Sequence, residues 1–124
     1  MGRGAYQPAL DIGVTSPYAH LRQYVVSSTL SGIDDPAVEV VSGGPIELVR
    51  RLKKEDGGDI WLCGGGKLAG ALLPETDEMM IKYYPVVAGA GIPVFTAEFQ
   101  PQLFDLADSR TFANGTLLLT YTRK

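Results

Sequence analysis

The sequence predicts an α/β sandwich built on a mixed sheet, and three observations predict it. Short β-branched runs alternate with segments of helical periodicity. A strand-like run at residues 59–63 passes through three glycines into a helix. The chain then closes on two extended segments around Asn114-Gly115. Strand–helix alternation argues for helices layered on a sheet, and the closing pair argues that part of that sheet is antiparallel.

The elements follow in order. Residues 22–26, Arg-Gln-Tyr-Val-Val, form a short strand, followed by Ser27-Ser28-Thr29 and a loop with Gly32, Asp34, Asp35 and Pro36. Residues 37–41, Ala-Val-Glu-Val-Val, make a second strand. Ser42-Gly43-Gly44-Pro45 opens a helix, because proline at the first helical position gives up only an N–H that has no partner there. Ile46, Val49 and Leu52 recur at the spacing of one helix face, and Gly57-Gly58 ends it. Asp59-Ile-Trp-Leu-Cys63 is a third strand, and 67–73 a short helix stopped by Pro74. A fourth strand spans 78–84, and a Gly89-Ala-Gly-Ile-Pro93 loop follows it. Residues 103–112 and 116–122 are the two arms of a hairpin, since both Asn and Gly tolerate positive φ in a tight turn.

A chain of 124 residues fits one domain with one core. The formal net charge of −3 gives no bulk attraction to nucleic acid or to an anionic membrane, so neither is expected as a partner. The basic run Arg50, Arg51, Lys53, Lys54 is offset by Glu47, Glu55, Asp56 and Asp59 and reads as a solvated helix face. The single cysteine, Cys63, excludes an internal disulfide and suggests a reducing compartment. One Cys and one His far apart cannot build a zinc site. No apolar run reaches the roughly 20 residues of a membrane span, and Met1–Tyr6 lacks the apolar core of a signal peptide. A cytoplasmic protein is expected.

The strongest chemical signal is Asp59-Ile-Trp-Leu-Cys-Gly-Gly-Gly-Lys-Leu-Ala69. Glycines let a backbone approach a bulky ligand, and the helix start beyond them presents free N–H groups to an anion. A P-loop is excluded, because Trp61 and Leu68 stand where it needs Gly and Ser or Thr. Gly64-x-Gly66-x-x-Ala69 fits the dinucleotide fingerprint, but Lys82, Tyr83 and Tyr84 stand near the place of its ribose-binding acid. A strand–helix turn without a ligand is the competing reading.

That segment resembles the strand–Gly-Gly-Gly–helix cofactor motif of dihydrofolate reductase-like proteins. Other landmarks agree in order and spacing. Met1-Gly-Arg-Gly-Ala-Tyr6 is similar to the family's Met-Gly-Arg-x-Thr-Tyr helix start, and Val26-Ser-Ser-Thr-Leu30 to its Val-Ser-Arg-Thr-Leu strand end. Tyr84-Pro-Val-Val-Ala-Gly-Ala-Gly-Ile-Pro-Val-Phe95 resembles a run in the reductase, C-terminal domain of the riboflavin-biosynthesis deaminase–reductase. The resemblance implies a three-layer sandwich, with a mostly parallel mixed sheet and an antiparallel C-terminal hairpin. It also implies an NADPH-dependent oxidoreductase. Gly2, Arg3 and Gly4 would meet the cofactor phosphates, Ser27 and Ser28 would lie near the 2′-phosphate, and Gly64, Gly65, Gly66 and Lys67 would wrap the pyrophosphate and nicotinamide side. The implied substrate is a ribosylaminopyrimidine, with dihydrofolate as an alternative and a non-catalytic nucleotide-binding homologue as another.

Two positions depart from the pattern. Ala5 replaces the family's Thr and loses a hydroxyl, and Ser28 stands where an Arg is often found and loses a cation. Family members also carry a strand, loop, helix and second strand ahead of the Met-Gly-Arg motif, so residues 1–124 are expected to be a single domain truncated at its N-terminus. Strand edges left open by that truncation invite a homodimer.

The remaining candidates read as structural. His20 lies in a loop with no carboxylate nearby in sequence, and Cys63 reads as a small buried hydrophobe. Trp61 alternates with Cys63 on a core face, while one of Tyr83 and Tyr84 must leave it. No proton donor emerges.

Overall fold

The computed structural model describes all residues, 1–124, which divide into two compact units. The mixed α/β class is the one the sequence predicts, with one parallel and two antiparallel strand pairs.

The first unit comprises Met1–Leu73 and Pro93–Ala97. It contains α1 (Arg3–Asp11), β1 (Gln23–Val26), β2 (Val38–Val41), α2 (Pro45–Leu52) and α3 (Gly66–Ala71). Strands β1 and β2 run parallel, in register from Gln23 opposite Val38 to Val26 opposite Val41. On the other side of β1, the Met1 amino group donates to Tyr24 O at 2.7 Å, and Val26 N–H donates to Met1 O at 2.9 Å. Along β1 the period-two alternation buries Gln23, Val25 and Ser27. Val25 meets Tyr6 and Val38 in the core, with Leu10 and Leu30 packed against them. Tyr6 and Leu10 are four residues apart, hence on one face of α1. Buried Gln23 is satisfied, with Nε2 donating to Ser16 Oγ and Oε1 accepting from Tyr18 N–H at 3.1 Å.

Helix α2 begins as the sequence predicts, with Pro45 in its first turn and Gly44 left-handed at φ 57°. It ends at Leu52 rather than at Gly57-Gly58. Residues 53–56 beyond it are all charged and exposed and have nothing to bury. Lys54 and Glu55 close the end with tighter i→i−3 bonds to Arg51 O and Leu52 O. The third strand expected at 59–63 does not form. Its backbone groups join no ladder, and Ile60 and Trp61 are 46% and 61% exposed, so Trp61 is not core. A strand exists only through its partner, and this run has none beside it.

The second unit comprises Pro74–Ile92 and Glu98–Lys124. Its strands β3 (Glu78–Tyr83), β4 (Phe104–Thr111) and β5 (Leu117–Arg123) form an antiparallel sheet ordered β3-β5-β4, with a bulge between Leu106 and Asp108. The register sets Met79, Ile81 and Tyr83 opposite Tyr121, Leu119 and Leu117, which places these six side chains on one face. The hairpin turn differs from the expected Asn-Gly form. Only Gly115 takes positive φ (82°), while the Asn114 side chain accepts from Thr116 N–H at 3.1 Å. The loop is therefore a three-residue turn ending in a left-handed glycine.

One ionisable group in the first unit has a clear structural role. Asp35 accepts from Thr15 Oγ1–H at 2.7 Å and from Ala37 N–H at 2.9 Å. The Thr15 bond, then the Ala37 bond, hold its carboxyl below the usual carboxylate range, against a smaller opposing effect of burial. A depressed folded-state value means stability that is present above the unfolded value, about 3.9, and lost as pH falls through the folded one. The 15–37 connection is thus expected to loosen only below about pH 4. Carbon-13 titration of the Asp35 carboxyl checks this, and a midpoint at or above the ordinary value would refute it.

Candidate functional site

The sequence-nominated residues are all in the first unit, and four segment ends form a row there. Gly2 N–H donates to Gly64 O, Val26 N–H to Met1 O, and Ser27 N–H to Val41 O, each at 2.9 Å. The glycine turn, the start of α1 and the carboxyl ends of β1 and β2 therefore stand side by side. The carboxyl ends of parallel strands are where open α/β sheets hold ligands.

At one end of the row, Gly64 has φ 109°, a conformation that favours glycine, and its peptide bond to Gly65 is cis. A Cβ built on either residue would meet nothing within 4 Å, so both face open space. Gly66 differs. Its Cβ would lie 2.4 Å from Pro93 O, and its carbonyl accepts from Thr96 N–H at 2.9 Å. Close packing under residues 93–97 thus accounts for the third glycine without a ligand, and for buried Gly70 likewise, whose Cβ would lie 2.0 Å from Thr96 O. Helix α3 has only six residues, so its dipole is short. Lys67, on its first turn, is exposed.

Next in the row is α1, nine residues long, with Gly2 as N-cap and no side-chain cap. Gly2 O accepts from Ala5 and Tyr6 N–H, which leaves the helix's first donors without intrahelical partners. Gly4 is exposed. Arg3 is partly buried, and its Nη1 is a buried nitrogen with no hydrogen-bond partner. A guanidinium nitrogen removed from water costs free energy unless an anion or carbonyl meets it.

The two serines divide their roles. Ser27 is buried, and its Oγ accepts from Thr29 and Leu30 N–H at 3.2 and 3.1 Å, so it shapes its own loop. Ser28 is exposed at the strand end. Sequence reasoning missed the neighbouring groove of about 500 Å³ lined by Glu39, Val41, Ser42, Gly44, Glu47 and Arg51. Its signal was the Ser-Gly-Gly-Pro helix opening, read for structure alone. Also missed was a cluster around Cys63, whose Sγ lies 3.4 Å from Tyr18 Oη while Tyr18 packs edge-on against Trp61 at 5.1 Å. The Cys63 hydrogen bond and charge, with burial adding less, raise the Tyr18 phenol. His20 is exposed and outside this cluster.

The sequence profile of the RibD C-terminal domain matches residues 12–118, a span that includes Ser27, Ser28 and Gly64–Lys67 and begins just after α1. The uncharacterized proteins YyaP and YwjB of Bacillus subtilis (strain 168) are 35% and 33% identical, over 81% and 77% of this chain. The chain spans about half the length of these curated relatives, 54% and 56%. A crystal structure of a Shewanella sp. PV-4 protein, provisionally assigned to riboflavin biosynthesis, superposes on the whole chain with a TM-score of 0.82. It does so at 25% identity and over 72% of that protein's length. The chain belongs to the RibD C-terminal domain family.

Proposed function

We propose that this chain is the cofactor-holding part of a reductase, in which hydride passes from a reduced nicotinamide dinucleotide to a small heterocyclic substrate. The substrate class we favour is a ribosylaminopyrimidine of the riboflavin type, with dihydrofolate as the alternative, and the family resemblance points to NADPH as the donor. The observation that carries the reading is Arg3, whose buried Nη1 lacks a partner at the start of α1, next to the turn where Gly64 and Gly65 face open space. Phosphate oxygens would satisfy that nitrogen and the first-turn N–H groups together. The bare glycines would let a flat ring system lie on the backbone.

In this reading Arg3, Gly2 and Gly4 bind the phosphates, and Gly64 and Gly65 orient the reactive end. Ser28 and the β2 end take the nucleoside. When bound, the nicotinamide supplies the hydride. The chain's own work is to hold donor and acceptor faces together and to exclude water. The exposed Ile60 and Trp61 favour a second reading, a nucleotide-binding domain without catalysis, because the run they lie on has no strand beside it. A homodimer is part of the same proposal, since β3 and β4 have open edges. So is a cytoplasmic location, for which the free thiol of Cys63 is the support; no helix is long and apolar enough to cross a membrane.

Thermal unfolding with and without nucleotide tests the reading. A ligand at 100 times its Kd adds about 2.7 kcal/mol, and a rise of several degrees in Tm is expected. A cooperative transition that no nicotinamide nucleotide moves would refute a cofactor site. Steady oxidation of NADPH or NADH with a candidate substrate separates the enzyme from the non-catalytic domain.

A further inference from the structure

The groove beside the serines has a charge pattern that bears on which dinucleotide it accepts. Ser27 N–H donates to Val41 O, and Val41 lines the groove, so the groove continues the row of strand ends described above. Three ionisable side chains line it, Glu39, Glu47 and Arg51. Glu47 is the third residue of α2, and its carboxylate folds back over the helix start. Its Oε2 lies 3.0 Å from the position a Cβ on Gly44 would take. The positive end of the α2 dipole, which could have attracted a phosphate, is thus already faced by a carboxylate of its own helix. Arg51, the one cation of the lining, sits 4.0 Å from Glu39. Among the neighbouring serines, Ser27 Oγ is turned into its own loop, and Ser28 is neutral.

Two carboxylates against one guanidinium leave the groove net negative. A ribose diol brings O–H donors, which a carboxylate accepts. A 2′-phosphate brings only acceptors and a charge near −2, which the same carboxylate repels. An acid on the ribose diol and an arginine on the 2′-phosphate are the two recurring solutions for telling these nucleotides apart. We propose that Glu47 reads the ribose of the dinucleotide as an unphosphorylated diol, so that this domain binds NADH in preference to NADPH. The inference rests on the nucleotide-binding reading of the site and reverses the preference that family resemblance implies.

Calorimetric titration of the full chain tests it, with NADH, NADPH, 5′-AMP and adenosine 2′,5′-bisphosphate as probes. NADH and 5′-AMP are expected to bind about three- to tenfold more tightly than their 2′-phosphorylated counterparts at low salt. The gap should shrink as salt screens the exposed carboxylates. In Glu47→Gln, NADPH affinity should rise several-fold while NADH affinity falls slightly, bringing the ratio toward one. Glu39→Gln, on the strand rather than the helix, should move the ratio less and in the same direction, and it serves if the helix variant fails to fold. Tighter NADPH binding by the unmodified chain, or a ratio that neither variant moves, would overturn the role of Glu47 and leave the cofactor site standing. Binding of neither dinucleotide would overturn both.

Discussion

Gly70→Ala is expected to destabilise the first unit by about 2–3 kcal/mol, the upper part of the range for forcing one extra carbon into a packed interior. The added Cβ would stand 2.0 Å from Thr96 O and 2.5 Å from Thr96 C. Both are backbone atoms, so no rotamer change relieves the clash, and either α3 or residues 93–97 must move. Gly4→Ala is the matched control. Its Cβ meets nothing within 4 Å, and alanine in a helix is favoured over glycine by about 1 kcal/mol. Urea unfolding should therefore show opposite shifts in midpoint for the two variants. Equal shifts would mean that residues 93–97 do not lie on α3.

Arg3→Met is expected to weaken nicotinamide-nucleotide binding by about 10- to 100-fold, the loss of one charge-assisted contact to phosphate, while leaving the chain as stable as before or more so. The two effects part because Nη1 is buried without a partner. Methionine fills much of the same space and removes the unpaired donor. Arg3→Lys should recover little affinity, since an ammonium cannot reproduce the planar fork of a guanidinium. Isothermal titration and thermal unfolding of the same samples read both quantities. A variant that loses stability and keeps its affinity would make Arg3 a structural residue.

Much of the fold was legible because it is local. The short β-branched runs at 22–26 and 37–41 became β1 and β2, Pro45 marked the start of α2, and Asn114-Gly115 located the hairpin. Residues 59–63 have the composition of a strand, but pairing depends on what lies alongside, and composition carries no record of that. Trp61 accordingly stands 61% exposed where alternation had placed it in the core. The glycine turn shows the same limit at the site. Three consecutive glycines look alike in sequence, yet Gly64 and Gly65 face open space while Gly66 is pressed against Pro93 and Thr96, far along the chain. Ser27 and Ser28 were equivalent candidates until the buried hydroxyl of Ser27 proved to be engaged by Thr29 and Leu30. The folded-back carboxylate of Glu47 could not be read from spacing, because many helices carry an acid in the first turn.

The short stretch 93–97 gives the molecule a schedule as well as a contact. It packs on α3 as part of the first unit, although residues 74–92, which belong to the second, intervene in the chain. During synthesis, α3 can be made while the surface that covers Gly70 does not yet exist. Thr96 lies 26 positions after Gly70, which at about 5–20 residues per second is a delay of about 1–5 s. For that interval the nascent chain carries a half-built interior with its buried glycine uncovered. The first unit closes only after residues 74–92 of its neighbour, with β3, have been translated, so the two units mature as interleaved products and not as successive ones.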